Sequence, residues 1–203
     1  MDEQILVVDR SHLFRNETLA FQGVLMDKDS VKYIMKRFKN YRVVRRGDAE
    51  ENKALKQPIP YAIITRGDEV FVYKRLTGGG ETRLHDSLSI GVGGHMNRTN
   101  DVRDWNTNLM INLYRELTEE LEIVVDSPFE EPEIIGLIND DENEVGQVHI
   151  GILAVLNLPE DAEVTVRETD KLEGYWIRTK DLTKHTLFAC LEPWSQIAVE
   201  ALL

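Results

Sequence analysis

Apolar positions along the chain return at two different periods, and the change from one to the other marks its elements. Ile5 to Val8 form a continuous apolar run, which predicts a strand or extended arm. In SVKYIMKRFKN, Val31, Ile34, Met35 and Phe38 recur at helical spacing with Lys and Arg between them, so an amphipathic helix with a basic, solvated face follows. YAIIT and VFVYKRL flank RGDE and predict a β-hairpin turning at Gly67-Asp68. Another strand is expected over Ser87 to Val92. It ends in the pair Gly93-Gly94, a tight turn where side chains would obstruct a close backbone approach.

The Asn-, Asp- and Thr-rich stretch NRTNDVRDWNTN then leads into a helix over Leu109 to Leu121, with Asn106 or Thr107 as its N-cap. PEIIGLIN and QVHIGILAVLNL predict two strands around the acidic turn DDENEVG. EGYWIR predicts another, and FACLEPWSQIAVEALL a closing helix. Strands and helices interleave without strict βαβ alternation, which implies an α/β (α+β) fold with a mixed β-sheet flanked by helices. With no repeat or low-complexity linker, residues 1–50 are expected to form an extension packed on a main domain of residues 51–203.

Charge narrows the partners. The formal net charge is −12, whereas gripping a nucleic-acid backbone needs clustered Lys and Arg, so nucleic acid is not an expected partner. An acidic chain can still bind a small phosphorylated molecule when a divalent cation stands between them. The single cysteine, Cys190, cannot form an internal disulfide and is expected as a small buried hydrophobe on the closing helix. Without a secretion-like leader or a long apolar span, a cytoplasmic protein away from membranes is expected.

The candidate chemistry lies on the helix through Leu109 to Leu121. At about 100° per residue, Glu116, Glu119 and Glu120 share an arc of roughly 100°. Met110, Leu113, Leu117 and Leu121 form a separate apolar stripe, placing the carboxylates at the edge of the buried face and not at its centre. Three carboxylates so close repel one another, and a hard cation taking oxygen ligands relieves that repulsion. Taken alone, LYRELTEELE could equally be a charged, solvated helix face with Arg115 pairing to Glu119.

Arg115-Glu116-Leu117-Thr118-Glu119-Glu120 resembles the Arg-Glu-aliphatic-x-Glu-Glu core of the Nudix box, and Gly93-Gly94 resembles the glycine pair that opens it. From KQPIPY through GETRLHDSLSIGVGGH, INDDENEVGQVHIG and LEGYW, the chain is similar to a predicted phosphoesterase group within that superfamily. The resemblance implies a Nudix-type α/β/α sandwich hydrolysing a nucleoside diphosphate linked to another moiety, with Mg²⁺ or Mn²⁺ as cofactor. It implies that Glu116, Glu119 and Glu120 are metal ligands, that Arg115 holds these carboxylates in place, and that the Gly94 carbonyl adds a backbone oxygen.

The chain also departs from the box. The interval between Gly94 and Arg115 is longer, an insertion across NRTNDVRDWNTN, and the early box glutamate has no match. Its slot falls at Asn100 or Thr107, with Asp101 or Asp104 as substitutes, and Glu122 stands where a later glycine belongs. Nudix enzymes often take a further acidic ligand from outside the box, and here Glu168 is the first choice before Asp170, Glu173 and Glu144.

On the substrate side, Arg75, Arg83 and His95 are candidates for phosphate, by bidentate guanidinium bonding or by titration near neutral pH. His149 is expected to be structural. Trp105, Trp176 and Trp194 are expected as packing residues. The missing glutamate and the insertion keep a second reading open, a non-catalytic nucleotide-binding or regulatory module. A homodimer through the N-terminal arm or helix is also allowed.

Overall fold

The computed structural model describes residues 3–76, 87–99, 104–167, 169 and 172–203. In chain order its first elements are β1 Gln4–Asp9, α1 Arg10–Leu13, β2 Gly23–Leu25, α2 Lys28–Arg37, β3 Arg42–Arg45, α3 Arg46–Glu50, β4 Leu55–Arg66 and β5 Glu69–Arg75. β6 Leu88–Ser89, β7 Gly91–Gly93, α4 Trp105–Glu120, β8 Leu121–Val124, β9 Glu133–Asn139 and α5 Glu144–Val148 follow. The last are β10 His149–Leu158, β11 Glu163–Val166, β12 Leu172–Arg178, α6 His185–Phe188 and α7 Pro193–Leu202. The architecture is α/β, with a large sheet and helices, and it divides into two compact units. No helix of the described residues is long and apolar enough to cross a membrane.

The first unit comprises residues 1–61, 93–115 and 135–153. The expected boundary between residues 50 and 51 falls inside it. β1 pairs antiparallel with β3, from Gln4 opposite Arg45 to Val7 opposite Arg42, and with the start of β4 at Val8 opposite Lys56. From β4 the strand order continues through β10 and β9 to β2, which pairs antiparallel with β9. Ile5, Val7, Ala49 and Leu55 pack into a small core that Val44 covers. Because alternate residues of a strand face opposite sides, Ile5 and Val7 enter this core together. The α2 helix forms as its periodicity predicts, and Asp27 caps it by accepting from the Ser30 amide at 2.9 Å.

A buried charge network ties this unit together. Lys56 is fully buried, and its Nζ donates to Asp141 Oδ1 at 2.9 Å and to the carbonyls of Gly146 and His149 at 2.8 and 3.1 Å. Arg10 brings both guanidinium arms to the same carboxylate, at 2.7 and 2.8 Å. Its Nη2 also binds Glu17 at 2.7 Å, fastening a turn in which Arg15, Asn16 and Glu17 have φ of 49, 50 and 68°. That left-handed conformation costs an L-residue about 1–2 kcal/mol, so the turn depends on such fastenings.

The second unit comprises residues 62–92, 116–134 and 154–203. The predicted hairpin is present: Arg66 faces Glu69 across Gly67-Asp68, with Gly67 at φ 55°, a left-handed conformation that suits glycine. β5 pairs antiparallel with β12 along its length, from Glu69 opposite Arg178 to Arg75 opposite Leu172, so the local order is β12, β5, β4, β10. Trp176 packs edge-on against Phe71, and the Arg66 guanidinium lies 4.2 Å from its ring centre. β8 and β11, neither expected from the sequence, form a separate antiparallel pair.

Several boundaries differ from expectation. The α4 helix begins earlier, at Trp105, because Asp104 is the cap: its Oδ2 accepts from both the amide and the hydroxyl of Thr107, at 2.9 and 3.0 Å. Neither Asn106 nor Thr107 serves as N-cap. Gln147 and Val148 belong to the short α5 and not to the following strand. The closing helix is broken into α6 and α7, since Pro193 opens α7 at a position where no amide donor is needed. Cys190 therefore lies between the helices and is exposed, contrary to the expected buried position. Its thiol donates to the Thr186 carbonyl at 3.3 Å.

Asp141 generates a stability prediction. Burial alone raises its carboxyl pKa, but hydrogen bonds from Arg10, Lys56 and Asn139 outweigh this and hold it well below the ordinary carboxylate range. With the folded pKa depressed, the stabilisation is complete above about pH 4 and is lost as pH falls through the folded value. Asp141→Asn is expected to cost roughly 3 kcal/mol at pH 7, the low end for breaking a buried ion pair because Asp141 keeps 30% exposure. Urea unfolding at pH 7 measures the loss, and repeating it at pH values below 4 follows its progressive decline in acid.

Candidate active site

The α4 helix carries polar side chains on its buried face, and they determine how the preceding loop is held. Asn108 and Asn112, four residues apart, are both buried. Asn112 accepts from the Asn97 amide at 2.9 Å and donates to the Asn97 carbonyl at 3.0 Å, while Asn108 Oδ1 accepts from the Thr99 amide at 3.1 Å. The loop after β7 thus gains from the helix the backbone partners that a strand neighbour would otherwise supply. Arg115 adds a further tie, donating from Nη2 to the His95 carbonyl at 2.7 Å. It braces the loop, a role the sequence had not indicated.

Gly93 lies where the glycine pair was expected to allow close approach, and the approach is severe. A Cβ at Gly93 would stand 2.1 Å from the Pro60 carbonyl oxygen. Gly94 follows directly after β7 and is partly exposed.

Of the three helix carboxylates, Glu116 is 8% exposed, Glu119 is exposed, and Glu120 is intermediate with its Oε2 atom buried. The expected placement at the edge of the buried face is corrected for Glu116. Buried positions run from Asn108 through Asn112 to Leu117, and Glu116 stands in the middle of that arc. Counting only apolar residues had hidden this, because the two asparagines widen the buried face.

The donor set is chemically suited to a hard divalent cation: three carboxylates within five residues of one helix, one of them buried. Among the described residues, no group of three His, Cys, Asp or Glu side chains converges closely enough to hold an ion. The helix thus supplies a shared face, and Glu116 and Glu120 lie one turn apart on it.

Other candidates separate. His95 turns its ring toward Gln57 and His149: Nε2 is 2.8 Å from Gln57 Oε1 and 3.1 Å from His149 Nε2. Burial, then the Arg46 charge and His149, push the His95 pKa down to about 4, so the ring is neutral at neutral pH. Burial also lowers the pKa of His149, whose Nδ1 donates to the Val145 carbonyl at 2.7 Å. Arg75 ends β5 opposite Leu172. Glu173 and Glu144 are exposed. Arg83, Glu168, Asp170, Asn100 and Asp101 lie outside the described residues.

No protein-family model matches the chain. Among solved structures, that of Tm1382, assigned to the Nudix hydrolases, is similar at TM-score 0.78 and 29% identity, covering 99% of this chain and 98% of that one. A MutT Nudix hydrolase from Burkholderia pseudomallei shares the fold at TM-score 0.50 and 19% identity, covering 73% of this chain and 98% of its own. With the box core on α4 and the glycine pair before it, the chain has the fold of the Nudix hydrolases. The chain is also similar to protein YmaB of Bacillus subtilis (strain 168), 48% identical over 203 residues, 100% of this chain and 98% of that one.

Gly93→Ala tests the close approach. Since the obstructing atom is backbone, the strand or the loop must shift, and a loss of at least about 2 kcal/mol is expected in thermal or urea unfolding. A variant as stable as the parent would show that the Pro60 carbonyl moves freely.

Proposed function

We propose that the chain hydrolyses a phosphoanhydride, in a nucleoside diphosphate linked to another group, with a divalent cation, Mg²⁺ or Mn²⁺, held by Glu116, Glu119 and Glu120. The observation that carries this reading is the shared carboxylate face of α4, continuous in sequence with an arginine that braces the glycine-turn loop. When bound, the cation supplies charge neutralisation for the diphosphate and acidifies a coordinated water.

The chain's own groups do the rest. Water attacks one phosphorus in line, the bridging P–O bond breaks, and the products are two phosphate esters or a phosphate ester and phosphate. One of the carboxylates, with Glu120 preferred because it is neither fully buried nor fully exposed, orients the water and takes its proton. Glu116 keeps a fixed position in the buried face. Arg115 acts through the His95 carbonyl and not on substrate. Arg75 and Arg83 are the proposed phosphate contacts, with the planar guanidinium suited to bidentate binding.

Glu120→Gln is expected to lower Mg²⁺-dependent turnover of nucleoside diphosphate derivatives by about 100-fold or more while circular dichroism stays unchanged. Products from ¹⁸O-water would identify the phosphorus attacked. Undiminished turnover in this variant would overturn the assignment. Tight calorimetric binding of ADP-ribose with no turnover in Mg²⁺ or Mn²⁺ would favour a binding module instead.

A further inference from the structure

Gln57 on β4, His95 in the loop after β7, and His149 at the start of β10 meet in a corner built entirely from the first unit. We propose that this corner is a binding site for a borderline transition-metal dication such as Zn²⁺ or Co²⁺, with His95 Nε2, His149 Nε2 and Gln57 Oε1 as ligands. It differs in chemistry from the carboxylate face of α4, which suits a hard ion.

Three observations carry the proposal. The first is the tautomer of His149: its Nδ1 donates to the Val145 carbonyl at 2.7 Å, so Nε2 bears the lone pair. A backbone acceptor behind a ligating imidazole is the usual support for a metal-bound histidine. The second is distance. Two nitrogens each about 2.0–2.1 Å from one ion, at an angle of about 90–110°, lie roughly 2.9–3.4 Å apart. The two Nε2 atoms are 3.1 Å apart, and the rings are inclined at 65°, so neither stacks on the other.

The third is the orientation of Gln57. Its side chain is fully buried and presents its oxygen to His95 at 2.8 Å, while its Nε2 is buried without a hydrogen-bond partner among the described residues. A proton on His95 Nε2 cannot align well with both Gln57 and His149. An ion meets all three electron pairs at once, with water in its remaining positions.

Among the charges near the corner, Arg46 pairs with Glu3 at 3.0 Å and with Glu50 at 2.7 Å, so two carboxylates offset part of its field at His95.

Titration of the full chain with Co²⁺ is expected to give visible d–d bands from an imidazole-bound ion. Its Cu²⁺ form should show two nitrogen ligands by electron paramagnetic resonance. His149→Ala should weaken this binding by about 100-fold or more. His149→Gln, which retains a polar side chain, serves as the second variant if the first fails to fold. Glu120→Gln should leave the imidazole signals unchanged, which keeps this test separate from that of the proposed hydrolysis. Retention of the bands in a folded His149 variant, or their loss in Glu120→Gln, would overturn the site. So would a Cu²⁺ spectrum without nitrogen coupling.

Discussion

The hydrogen bonding between α4 and the backbone of the loop after β7 is the constraint on which the proposed site depends. A loop that leaves a strand and enters a helix carries amides and carbonyls that need partners once they are buried. Asn112 supplies both a donor and an acceptor to Asn97, and Asn108 supplies an acceptor to Thr99. Arg115 takes the His95 carbonyl two residues earlier. Three side chains of one helix therefore fix one face of the loop, and the glycine at position 93 lets its beginning lie against the Pro60 carbonyl. The longer interval between glycine pair and box arginine is accommodated in part by Asp104, which starts α4 earlier than the apolar pattern implied.

Where a pattern repeats over enough residues, the sequence was legible. The Gly67-Asp68 hairpin, the α2 helix and the α4 helix appear where period and turn chemistry place them. The box core and glycine pair also lead to the family that the structural likeness supports. Short strands were not legible: Leu121–Val124 and Glu163–Val166 have four residues each, too few for alternation to stand out. Cys190 lies outside any helix because Pro193 starts a new helix after it, which the continuous apolar run from Phe188 does not reveal.

The misreading of Glu116 shows a more general limit. Hydrophobic periodicity identifies residues that are buried because water rejects them, whereas Asn108 and Asn112 are buried because a backbone needs them. Two asparagines four apart on a helix are the signal that could have been used, since that spacing puts both on one face. Once they are counted, the buried arc widens and Glu116 moves from its margin to its middle. A carboxylate there is expensive to desolvate and persists only with compensating interactions, which is consistent with a charge kept for a purpose.

The same logic separates the two proposed cation sites. Both answer an electrostatic problem, but of different kinds. On α4, formal negative charges crowd one face of a chain whose net charge is already −12, and a phosphorylated substrate would add more. Only an ion that tolerates several anionic oxygens while retaining water for chemistry relieves that crowding, which points to a hard dication. In the Gln57, His95 and His149 corner the donors are neutral, so no formal charge demands an ion. What is left unresolved there is the direction of lone pairs, one imidazole being fixed by the Val145 carbonyl and the amide being held in a buried strand. Directional nitrogen donors select borderline ions over Mg²⁺. The two proposed sites thus differ in what biases their choice of ion, formal charge at one and ligand type at the other.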